Sequence, residues 1–162
     1  MRNRSTRYIA AAALLGGLTW GSIPAHGAGK PQLTAHHIDM IYVTVMNTAV
    51  STAINGGNYS YSPDDGKEFL TVKITAVNKN DVQLAVNSGD FTLLNPSGSS
   101  IDANSQNIGT PFSDTVLDPN GSTQGTITYQ VPKRAHMVTL RWSPQPSSNS
   151  ERWPTASWVI HY

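Results

Sequence analysis

No cysteine occurs in the 162 residues. Disulfide staples, thiolate zinc sites, thiol nucleophiles and an acylated cysteine anchor are therefore excluded. Charge is also scarce. Asp, Glu, Lys and Arg make up 13% of the chain, too little for a disordered polyelectrolyte, and the 38% hydrophobic fraction can build a core. Only two glutamates are present, Glu68 and Glu151, so nothing favours a carboxylate pair for glycosidic cleavage. The formal net charge is +1, but Arg2, Arg4 and Arg7 all lie at the start. Without them 8 basic residues face 10 acidic ones. No basic stripe remains, and nucleic acid is not an expected partner. No Gly-x-Ser-x-Gly elbow marks a serine nucleophile. Gly56-Gly57 is followed by no lysine at phosphate-loop spacing.

What is present begins with a leader. Arg2, Arg4 and Arg7 precede an apolar run from Ile9 to Trp20, and Pro24-Ala25-His26-Gly27 supplies small residues after it. This is the pattern of a secretory signal peptide over residues 1–27, cleaved before Ala28. A membrane-spanning helix needs about 20 apolar residues; this run is shorter and is interrupted by Gly16-Gly17. The expectation is a secreted, extracellular protein with no membrane span in its mature form and no lipid anchor.

Beyond residue 30 the apolar residues recur with period two, the rhythm of half-buried strands. Leu33 to Met46 is one such run. In Glu68 to Asn78, Leu70, Val72, Ile74 and Ala76 fall on one face and Thr71, Lys73 and Thr75 on the other. Val82 to Val86, Phe91 to Leu93, Ile127 to Val131, Val138 to Trp142 and Trp158 to Tyr162 repeat the alternation. Ser62 to Gly66, Asn78 to Asp81, Asn95 to Gly98 and Asp118 to Gly121 read as turns. Asn47 to Asp65 and Ser143 to Pro154 read as polar connections. No helical period is sustained over three turns. Seven or so alternating strands predict one all-β domain over 28–162, an antiparallel sandwich in which each strand hides one face against a second sheet.

The order of these pieces resembles a known family. Gly66-Lys67-Glu68-Phe69-Leu70-Thr71-Val72-Lys73-Ile74 is followed by Val77-Asn78-Lys79-Asn80, then by Asp90-Phe91-Thr92-Leu93-Leu94-Asn95-Pro96-Ser97-Gly98. Leu117-Asp118-Pro119-Asn120-Gly121-Ser122 then leads into Gly125-Thr126-Ile127-Thr128-Tyr129-Gln130-Val131-Pro132. The set resembles the secreted bacterial "domain of unknown function 4352" family over about residues 33–142. The resemblance implies a single immunoglobulin-like (telokin-like) antiparallel β-sandwich, with no catalytic residues and no cofactor to carry over. Members often carry a lipid-attachment cysteine or a membrane anchor, and this chain has neither.

Candidate sites are few. Tyr129, Trp142 and Trp158 lie in phase with apolar positions and are expected in the core. Tyr59, Tyr61 and Trp153 lie in the two polar connections, where exposed aromatics serve as contact residues. The contact segments expected are Asn55 to Tyr61 and Ser147 to Trp153. His37 and Asp39 share a strand face and, joined by His136 or His161, would make a metal set if an early strand lay beside a late one. Structural roles for these histidines are the simpler reading. Asp64, Asp65, Glu68, Asp114 and Asp118 read as turn residues before cation ligands. The function expected is a secreted non-enzymatic module that binds a macromolecular partner or the cell envelope through loops or a sheet edge. The alternative is a small extracellular metal-binding protein.

Overall fold

The computed structural model describes residues 35–38, 41–56, 59–144 and 155–162, the side chains of His37 and Ile38 excepted. The signal-peptide reading of 1–27, Asp39, Trp153 and the segment Ser147 to Trp153 lie outside the described residues. Twelve strands are present among the described residues, with one 3-10 turn at Ser88–Asp90 and no α-helix. They are β1 (Ala35–Ile38), β2 (Ile41–Ser51), β3 (Ile54–Gly56), β4 (Tyr59–Tyr61), β5 (Lys67–Asn78) and β6 (Leu84–Val86). After the turn come β7 (Phe91–Leu94), β8 (Ser100–Ile101), β9 (Thr115–Leu117), β10 (Ser122–Pro132), β11 (Met137–Trp142) and β12 (Ala156–His161).

One four-stranded sheet has the order β1-β2-β5-β10, and a second has the order β12-β11-β7-β8. All pairings are antiparallel. The inward stripes of the two sheets form the core. The first sheet contributes Ile41, Val43, Leu70, Val72, Ile74, Ala76, Ile127 and Tyr129; the second contributes Phe91, Leu93, Val138, Leu140, Trp142, Trp158 and Ile160. Tyr129, Trp142 and Trp158 are buried, as the alternation predicts. The ribbon β6–β9 closes part of the side, with Val86 and Leu117 turned inward.

The expected polar connection after Asn47 is largely strand. A bulge in β2 sets Val45 opposite Ile74 and Asn47 opposite Lys73, leaving Met46 as the extra residue. Beyond it the inward phase moves to Thr48 and Val50, opposite Val72 and Leu70. The first apolar run, for its part, divides into β1 and β2, with Ile38 opposite Ile41.

The outer edge of β10 is covered by the segment 103–112. Asn104 N–H donates to the Thr128 carbonyl (2.7 Å), Phe112 N–H to the Thr126 carbonyl (2.9 Å), and Thr126 N–H to the Thr110 carbonyl (2.8 Å). Asn107 spans two threonines: its amide nitrogen donates to Thr126 Oγ1 (2.8 Å), and its amide oxygen accepts from Thr128 Oγ1 (2.7 Å). Gly125 is required at this crossing, because a Cβ there would collide with the backbone of Pro111 and Phe112. Phe112 is thereby buried and meets Phe91 edge-on at 5.3 Å. Sequence reading missed it, because it lies in no alternating run.

Asn78 is fully buried at the end of β5. Its amide nitrogen donates to the carbonyls of Val82 (2.8 Å), Leu117 (3.0 Å) and Asp118 (3.2 Å), and its amide oxygen accepts from Asn80 N–H (2.8 Å). One side chain thus ties the turn after β5 to the turn before β10. Asn78→Ala strands these buried carbonyls and should lower stability by about 2–4 kcal/mol, read as a shift in the urea unfolding midpoint at unchanged slope.

Candidate binding surface

The hairpin β3–β4 is built by local chemistry. Ser51 Oγ donates to the Ala53 carbonyl and accepts from Ala53 N–H (3.2 Å), turning the chain out of β2. Ile54 then pairs with Tyr61, Asn55 with Ser60 and Gly56 with Tyr59. Ser60 Oγ donates to Asn55 Oδ1 (2.8 Å). The hairpin rests on Phe69, which alternates out of the inward stripe of β5 and so belongs to the outer face of the first sheet. Phe69 is nevertheless fully buried, and Ile54 is buried as well. Tyr61 stacks on Phe69 with ring centroids 6.1 Å apart and planes at 30°. These three residues form a small apolar cluster outside the main core.

The two tyrosines therefore differ. Tyr61 covers Phe69 and remains 41% exposed. Tyr59, nearer the hairpin turn, packs over Gly56, whose missing Cβ leaves room for the ring, and remains 60% exposed. All three residues of β4 are exposed. An amphipathic ring held on a short ribbon presents a rigid contact area with a hydroxyl at its tip.

His36 meets the Trp158 ring edge-on at 5.0 Å, so β1 does lie beside the late strand β12. His37 is opposite Tyr42 in register. His136 is exposed in a left-handed conformation (φ 49°), and its carbonyl accepts from Tyr162 N–H (3.2 Å). His161 is exposed and pairs with Met137. Among the described residues no three His, Asp or Glu side chains come together to hold a metal ion.

The acidic turn residues hold turns. Asp114 Oδ1 accepts from Ser88 N–H and Ser88 Oγ, both at 2.7 Å, and these bonds hold its carboxyl below the usual range. Asp118 accepts from Gln83 Nε2 (2.6 Å), and Asp64 pairs with Lys67 Nζ (2.8 Å) at the surface. Asn120 supplies the left-handed position (φ 61°) of the turn closed by Gly121 N–H to the Asp118 carbonyl (2.8 Å).

Two antiparallel sheets packed face to face define the chain as an all-β sandwich protein. It belongs to the family described as Domain of unknown function (DUF4352), whose model matches residues 35–152. Solved structures share the fold. The candidate lipoprotein ycdA of Bacillus subtilis subsp. subtilis str. 168 superposes with a TM-score of 0.63 at 18% identity, covering 80% of this chain. The match spans 39% of ycdA's own length. The yjhA protein of Bacillus subtilis gives 0.59 at 17% identity, covering 79% of this chain and 95% of that one. A functionally unknown protein of Listeria monocytogenes EGD-e gives 0.56 at 10% identity, covering 88% and 87%. No curated protein matches the chain. No helix among the described residues is long and apolar enough to cross a membrane.

Tyr61→Ala uncovers Phe69 and should lower stability by about 1–2 kcal/mol, whereas Tyr59→Ala should stay within about 0.5 kcal/mol of the parent; paired urea titrations distinguish them. Burial raises the Tyr129 hydroxyl well above its ordinary range. Burial, and then the Glu68 charge, push Tyr162 up to about 12. Both folded values exceed the unfolded one, so their contribution is fully present below about pH 10 and is lost as pH rises through the folded values. The melting temperature should fall above about pH 10, as the unfolded chain gains phenolates that the fold disfavours.

Proposed function

We propose that this chain is an exported, non-enzymatic sandwich module that binds a macromolecular partner or the cell envelope through the β3–β4 hairpin. The observation that carries this reading is Tyr59, an aromatic ring 60% exposed on a hairpin held against the sheet by its own apolar cluster. A flexible loop would lose conformational entropy on binding; a ribbon fixed by Ile54, Tyr61 and Phe69 loses little. Export is supported by the leader sequence over 1–27. The candidate lipoprotein status of ycdA points to the envelope in the same direction. The non-enzymatic reading is supported by the turn-holding roles of Asp64, Asp114 and Asp118, which leave these carboxylates engaged in structure.

The test is co-sedimentation of the purified protein with isolated cell envelopes of its source, alongside cross-linking in culture supernatant. Tyr59→Ala should reduce capture by about tenfold, the effect of losing roughly 1.4 kcal/mol of contact, at an unchanged melting temperature. A control at an exposed residue away from the hairpin, Val116→Thr, should retain it. Capture by Tyr59→Ala equal to that of the parent would refute the assignment.

A further inference from the structure

The two lateral sides of the sandwich are finished differently. On the β10/β8 side, the segment 103–112 takes up the outward groups of Thr126 and Thr128. On the opposite side, β1 and β12 are the terminal strands of their sheets. The Tyr162 N–H donates to the His136 carbonyl on the β11 side. By strand alternation the amides of Ala156, Trp158 and Ile160 also point to β11, and those of Ser157, Val159 and His161 point outward. No hydrogen bond to these outward groups is formed among the described residues.

Edge strands are normally protected by a charge, a proline, a bulge or a cover. Strand β12 reads Ala-Ser-Trp-Val-Ile-His, with no Lys, Arg, Asp, Glu or Pro, and it pairs with β11 without a bulge. It alternates strictly between buried Ala156, Trp158 and Ile160 and exposed Ser157, Val159 and His161. Val159 keeps 46% of its surface in solvent.

We propose that β12 is a self-pairing edge: two copies of this chain join antiparallel strand to strand about a two-fold axis at Val159. The strand itself specifies the occupant. With the axis there, Val159 faces its own copy and Ser157 faces His161 of the other copy. These are the residues whose N–H and C=O groups point outward, so every facing pair exchanges both hydrogen bonds. The same register sets Trp158 opposite Ile160 on the inner face, which continues the apolar face across the junction. No like charges meet, and an aromatic residue faces a β-branched one, the favourable cross-strand combination. The contact is isologous and closes at two copies, because the far edge of each second sheet is the two-residue β8.

Sedimentation velocity of the purified protein between about 5 µM and about 1 mM should show a concentration-dependent dimer of the weak, small-interface kind. Val159→Lys sets two ammonium groups face to face and should raise the dimer dissociation constant by about tenfold or more, with the melting temperature unchanged. Independently, Val159→Cys gives each chain a single thiol, and the paired Cα atoms would lie about 5.5 Å apart. A short bis-maleimide should join this variant into a dimer. Val116→Cys, at a still more exposed position on the β6–β9 ribbon, should stay monomeric under the same treatment. A protein that remains monomeric at all concentrations, a dimer indifferent to Val159→Lys, or equal cross-linking of the two cysteine variants would overturn the proposal.

Discussion

Strand β5 is hydrogen-bonded to β2 on one side and to β10 along nearly its whole length on the other, and it is shielded on both faces over its first half. Its inner stripe, Leu70 to Ala76, forms the floor of the core. Its outer positions Phe69 and Thr71 are covered by the hairpin and by the segment 103–112. A one-residue slip would turn the whole inner stripe to the wrong side, so the register of β5 fixes that of its neighbours. The buried Asn78 at its end carries that order into the two adjoining turns.

The cover over the outer face is polar where the hairpin is apolar. Thr71 and Thr128 share a buried hydrogen bond (3.1 Å), Thr128 donates to Asn107, and Ile108 N–H donates back to Thr128 Oγ1 (3.1 Å). Each partner is satisfied, which makes such a network specific as well as stable. The outer face therefore has two kinds of lid, and of the two it is the hairpin that carries exposed rings, Tyr59 and Tyr61.

Much of the sandwich was legible because its central strands alternate cleanly. Leu70 to Ala76, Ile127 to Val131 and Val138 to Trp142 lie where the two-residue rhythm put them, and the ordered turn motifs pointed to the family. The distal half of β2 was hidden by the bulge at Met46, which breaks the rhythm, and by the Ser, Thr and Asn composition beyond it. Phe112 was hidden because its burial comes from a long-range crossing at Gly125. Tyr59 and Tyr61 were found as aromatics in a polar stretch. Their division of labour was not legible, because Phe69 reads as part of a core strand until its outward face is seen. Where β1 approaches β12, it is His36 that meets the Trp158 ring.

The lateral cover built from 103–112 has a chemical consequence. Its hold on β10 consists of amide and hydroxyl groups and of the ring of Phe112 set edge-on against Phe91, with no sulfur involved. Nothing in that arrangement consumes an oxidant. The domain reaches the same folded state in thiol-rich and in oxidising surroundings, and its folding requires no enzyme that makes or shuffles disulfides.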